Sequence, residues 1–116
     1  MGVRSMTLGA LVQAATSAPI TDAMIDAICT GENTDRQRLY DAFAKEVAEG
    51  YSGGRYAWPD ADVAMNHLFA YAYAVTGEGL SDYAFGVYVA FDEGEHREGG
   101  ESVTVALLSK LHESNG

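Results

Sequence analysis

The stretch WPDADVAMNHLFAYAYAVTG, Trp58 to Gly77, dictates most of what this chain can become, because no Asp, Glu, Lys or Arg lies between Asp62 and Glu78. Pro59 pre-sets a first-turn φ, Asp60 or Asp62 suits the positive end of a helix, and Gly77 can close the far end in the left-handed conformation. Met65, Leu68, Ala72 and Val75 fall on one stripe at helical spacing, and Val63, Phe69, Ala70 and Tyr73 widen that stripe around much of the circumference. A helix this apolar is expected to be surrounded. The fold class that follows is mainly α, a small antiparallel bundle of five or six helices around a central helix over 60–76.

The length of 116 residues fits one domain spanning 1–116, with a single core. A hydrophobic fraction of 47% is enough for the chain to fold without a partner. Seventeen acids against seven Lys and Arg give a formal charge of −10, which argues against nucleic acid or an anionic bilayer as partner and favours a basic protein. Residues 1–59 carry −2 of this charge and residues 60–116 carry −8, so the acidity is concentrated toward the C-terminal side. The lone Cys29 excludes an intramolecular disulfide and a cysteine-built metal centre, and fits an inert thiol in a reducing, cytoplasmic setting. No apolar run approaches the length of a membrane span. The opening 1–18 reads as a first helix rather than a secretory leader, and Gly2 followed by Met6 lacks a myristoylation pattern.

Local signals place the other helices. Leu8, Leu11, Val12 and Ala15 recur at helical spacing from Thr7, and Pro19 ends that segment. Thr21 is an N-cap with Ile20 and Ile25 as a hydrophobic staple, and Gly31 is the expected stop. Thr34 and Gln37 stand at capping-box spacing before a helix that buries Leu39, Tyr40, Phe43 and Val47 and ends at Gly50. Residues 51–59 read as a Gly-rich aromatic loop. The segment 83–91 is ambiguous: its aromatic and β-branched residues suit a strand, whereas Ser81, Asp82 and the Leu80–Phe85 staple suit a helix. A helix agrees better with the rest, and the alternative is an α+β fold with a hairpin from 83–91 and 102–108. Under either fold, Asp92–Glu101 reads as a solvated acidic loop.

No catalytic framework emerges. There is no nucleophile elbow, phosphate loop or zinc-binding helix motif, and no carboxylate stands in register to orient His67. His67 in an apolar helix reads as a core histidine bonded to a carbonyl. No cofactor or metal is therefore assigned, and the chain is read as a non-enzyme. A metal-binding protein or metal-dependent enzyme using His67 with Asp92, Glu93, Glu95 and His96 is the first alternative.

The surface offers more. Glu78, Asp82, Asp92, Glu93, Glu95, Glu98 and Glu101, beside Tyr51, Tyr56, Trp58 and Tyr88, combine charge for long-range steering with aromatic anchors. The partner-binding residues expected are Tyr56, Trp58, Glu78, Asp82, Asp92, Glu93, Glu95 and Glu98. The function expected is a protein-binding inhibitor, most concretely a bacterial immunity protein or antitoxin that covers the cationic active site of a nucleic-acid-cleaving toxin. A phage-encoded inhibitor or DNA mimic uses the same physics, and an adaptor subunit is the remaining alternative.

Overall fold

A computed structural model describes residues 7–115, so the reading of Gly2 and Met6 falls outside the described residues. The chain folds into six α-helices with one π turn: α1 Leu8–Ala15, α2 Asp22–Glu32, α3 Arg36–Ser52, α4 Trp58–Ala70 running into the π turn Tyr71–Val75, α5 Asp82–His96 and α6 Glu101–Asn115. No strand occurs among the described residues, so 83–91 and 102–108 are both helical and the hairpin alternative is overturned. The reason is local. Ser81 caps α5 by accepting from Ala84 N, and α6 opens on a turn in which Gly99 and Gly100 both adopt positive φ.

Helix starts follow the sequence closely. Thr7 and Thr21 cap α1 and α2 through their hydroxyls, which accept from Ala10 N and Met24 N. At α3 the cap is Asp35, whose carboxylate accepts from Arg38 N at 2.9 Å, in place of the expected Thr34–Gln37 box. Gln37 reaches instead across the fold and donates to the Gly79 carbonyl at 3.0 Å.

Helix ends depart more. Gly31 lies within α2, which closes at Asn33 (φ 52) with Thr34 N donating to the Cys29 carbonyl, the six-to-one bond of a Schellman cap. Gly50 lies within α3 because its missing Cβ is occupied by the ring of Tyr56, and its carbonyl accepts from both Arg55 N and Tyr56 N as the chain returns. The expected loop over 51–59 therefore shrinks to a short connection, with Trp58 and Pro59 already in the first turn of α4. The acidic stretch 92–101 is likewise mostly helical. Asp92–His96 complete α5, leaving only a tight turn before α6.

The hub of the bundle is α3, which packs against α1, α2, α4 and α5. It contributes Leu39, Tyr40, Phe43, Ala44, Val47 and Ala48 to the core. The helix expected to be surrounded is instead two-faced: Met65, Leu68 and Ala72 are buried, but Tyr73 is 41% and Val75 58% exposed. The π turn produces this split. Tyr71 and Ala72 turn inward while Tyr73 to Val75 turn outward, and Thr76 N donates to the Tyr71 carbonyl five residues back. The left-handed Gly77 (φ 72) then ends the segment as the sequence indicates.

One polar thread joins three helices. Thr104 of α6 is fully buried, donates to the Ala90 carbonyl of α5 at 2.8 Å and accepts from Trp58 Nε1 of α4 at 3.0 Å. Gly94 makes that crossing possible, since a Cβ there would collide with the Thr104 hydroxyl.

Candidate functional site

The aromatic anchors expected in the 51–59 connection point inward. Tyr56 is 8% exposed and donates its hydroxyl to Glu46 at 2.7 Å, and burial first, then Glu46, pushes that hydroxyl up to about 12. Trp58 packs against the core with its indole held by Thr104. Neither side chain projects as a free anchor. Tyr51 is similarly engaged, edge-on to Phe91 and donating to Glu101 at 2.7 Å.

A different set of rings forms a row that reaches the surface, with Phe69 and Tyr88 half-buried and Tyr73 and Phe85 exposed. Phe69 of α4 stacks on Tyr88 of α5 with centroids 4.2 Å apart, Tyr73 joins Phe69 at 4.5 Å, and Phe85 joins Tyr88 at 6.1 Å. Phe85 is 42% exposed, and Tyr73 lies over Gly79, whose left-handed backbone leaves space for the ring. These residues follow helical spacing on two packed neighbours, Phe69 and Tyr73 on one and Phe85 and Tyr88 on the other. The row therefore meets solvent through Tyr73 and Phe85.

The expected acids distribute around this row. Asp82 stands one turn before Phe85, exposed in the first turn of α5. Asp92 and Glu95 stand one and two turns after Tyr88 on the same face, so acids bracket the rings. Three other expected residues have different roles. Glu78 is held by Arg36 in a two-point ion pair at 2.6 and 3.1 Å, which keeps its carboxyl below its ordinary range. Glu93 faces away from the row and accepts from Arg97 at 2.7 Å. Glu98 is exposed in the turn between α5 and α6.

At the C-terminal end of the row the acids close into a cluster. One donor atom each from Asp92, Glu95 and His96 lies within 4.8 Å of the others, with His96 Nε2 3.4 Å from Asp92 and 3.6 Å from Glu95. Asp62 of α4 faces Glu95 and Asp92 but is not one of the three converging donors. It is 6% exposed, its Oδ1 has no hydrogen-bond partner among the described residues, and burial first, then the facing Glu95 and Asp92, holds its carboxyl well above the ordinary range. Tyr88 is raised by burial and then by Asp92, Glu95 and Asp62, which ties the cluster to the end of the aromatic row.

His67 is not part of this arrangement. Its Nδ1 lies 2.7 Å from the carbonyl of Ala15, so the ring donates to the last turn of α1, where carbonyls lack helical partners. It is half-buried rather than in the core, and bonded to a carbonyl as the sequence suggests. Asp62 is the residue that sequence reasoning missed. The i,i+4 relation of Asp62 and Asn66, continued by Phe69 and Tyr73, is the signal that a second face of α4 runs from polar to aromatic.

No protein-family model matches this sequence, and neither a curated protein nor a solved structure matches it.

Proposed function

We propose that the chain is a protein-binding inhibitor, an immunity protein or antitoxin whose target is a basic, nucleic-acid-cleaving toxin. The observation that carries this reading is the aromatic row Phe69, Tyr73, Phe85 and Tyr88, open to solvent at Tyr73 and Phe85 and bracketed by Asp82, Asp92 and Glu95. Rings that stack on one another lose little entropy on contact, so they are effective anchors, while the acids at either end repel acidic proteins and attract cationic ones. A nuclease presents positive charge where its phosphate-rich substrate binds. A surface with an apolar centre and acidic ends in a chain of charge −10 competes for that region directly. Compared with the sequence reading, the anchors move from Tyr56 and Trp58 to the α4–α5 row.

The test is capture from the native host's lysate on the immobilised protein, washed at low and high salt. The expected result is a basic protein, released by salt, whose nuclease activity falls when the purified chain is added back. A captured protein that is acidic, or whose retention is indifferent to salt, would count against the inhibitor reading and favour an adaptor that works through Val75 and Phe85 alone.

A further inference from the structure

We infer that the groove between α5 and α6, which opens beside Phe85, receives an amphipathic helix of the basic partner, with that helix's apolar face lying on Val89, Leu107 and Leu111. The inference rests on the protein-binding reading above and extends its surface across α5 onto α6.

The groove is built from residues one turn apart. Gly86 and Val89 of α5 and Leu107, Lys110 and Leu111 of α6 line a space of about 350 Å³. At its floor the methyls of Leu111 lie 3.0 and 3.2 Å from where a Cβ on residue 86 would sit, so the glycine lets the leucine settle against the α5 backbone. Val89 and Leu107 are left half-buried as walls. The space suits an anchoring apolar side chain.

The groove is continuous with the aromatic row. Phe85, 42% exposed, stands one turn before Val89 on the same face of α5, and it pairs with Tyr88 on its other side. One apolar band therefore crosses from α4 over α5 to α6. A cleft between two packed neighbouring helices takes a third helix, whose side-chain ridge seats in it with anchors at i, i+3 and i+4.

Charge selects which helix. Between Asp82 and Asn115 the two helices and their turn carry seven acids against Arg97 and Lys110, and Arg97 is committed to Glu93. On α5, Asp82 precedes Phe85 by one turn and Asp92 follows Val89 by one turn, so the band meets carboxylates at both ends. Lys or Arg residues flanking an apolar stripe are attracted to those acids, whereas a second copy of this chain brings another charge of −10 and is repelled.

The experiment titrates the full chain, isotope-labelled to follow its amide resonances, with a synthetic peptide of about 18 residues in which Leu and Lys are patterned as an amphipathic helix. A scrambled peptide of the same composition and a version with Glu in place of Lys are the controls. Saturable shifts centred on Phe85, Val89, Leu107 and Leu111 are expected with the patterned Leu/Lys peptide alone. Val89→Ser and Leu107→Ser are each expected to weaken it at least tenfold, while Val105→Ser, exposed on another face of α6, stays within about twofold. Should a serine variant not fold, the resonance map of the wild type decides the matter.

Four results would overturn the inference: equal binding of the scrambled peptide, shifts centred elsewhere, binding indifferent to both serine substitutions, or a wild-type dimer that Val89→Ser dissociates, which would give the groove to a second copy. The same variants, set against the basic protein captured from lysate, separate the two readings. A captured nuclease that leaves both variants as slowly as it leaves wild type overturns the groove and keeps the inhibitor reading. A captured basic protein without nuclease activity that leaves both variants at least tenfold faster keeps the groove and overturns the inhibitor reading.

Discussion

Tyrosine is the residue that this fold uses most variously. Tyr71 is buried and donates to Asp22 at 2.5 Å, Tyr56 donates to Glu46, Tyr51 donates to Glu101, and Tyr73 and Tyr88 each lie against Phe69. Nothing in the spacing of these residues separates the first three from the last two, because all seven tyrosines of the chain sit near glycines or alanines that suit either role. The distinction is tertiary: each of the first three rings finds a carboxylate on another turn or helix. Burial and that carboxylate raise Tyr51 and Tyr56 from the ordinary 10.0 to about 12, and Tyr71 is raised further. The unfolded chain releases these protons near pH 10, whereas the folded chain holds them to about 12. The stabilisation is therefore whole below pH 10 and is lost as pH climbs through 12, with a slope of at most about 1.4 kcal/mol per pH unit for each tyrosine. Urea unfolding between pH 9 and 11.5, with tyrosinate absorbance followed in the native state, is expected to show a falling midpoint and delayed ionisation of most of the tyrosines, these three among them. A flat midpoint would mean that these hydroxyls are solvated.

Helix beginnings were written into the chain more legibly than helix ends. A cap such as Thr21 or Ser81 acts on an amide three residues away, so its effect is local and readable. A glycine's meaning depends on what approaches it from elsewhere. Gly31 and Gly50 look like stops and Gly94 falls in a stretch that reads as an acidic loop, yet all three lie within helices, and at Gly50 and Gly94 the space of the absent Cβ is taken by Tyr56 and Thr104. Reading 92–101 as a loop separates the acid cluster from Asp62. Had Gly94 been read as a crossing point, α5 would have carried Asp92, Glu95 and His96 on one helical face. Gly94→Ala tests that crossing. In an isolated helix the substitution gains up to about 1 kcal/mol, so the sign of the change is informative. Here it is expected to destabilise by at least about 2 kcal/mol by chemical denaturation, because the methyl must displace Thr104 and the Gly100 carbonyl. A neutral or stabilising result would mean that α6 does not pack where the structure places it.

The molecule as a whole is a helical bundle organised on α3, with its long apolar helix given two faces by the π turn. Charge and composition made the bundle and its acidity legible, and no helix among the described residues is long and apolar enough to cross a membrane. They did not make the aromatic row legible, because Phe69 and Tyr73 meet Phe85 and Tyr88 only through the packing of α4 on α5. The central claim is that this seam, rather than acidity in general, engages the partner. It is tested most directly by association kinetics of the captured basic protein with wild type, Phe85→Ser, Asp92→Lys and Glu32→Lys at low and high salt. Glu32 is exposed at the end of α2, away from the seam, and changes the net charge as Asp92 does. Asp92→Lys is expected to slow association several-fold at low salt only, and Phe85→Ser to speed dissociation at least tenfold. Glu32→Lys is expected to stay within about twofold of wild type. Equal slowing by Glu32→Lys and Asp92→Lys, with dissociation indifferent to Phe85→Ser, would contradict the claim and leave only a diffuse acidic surface.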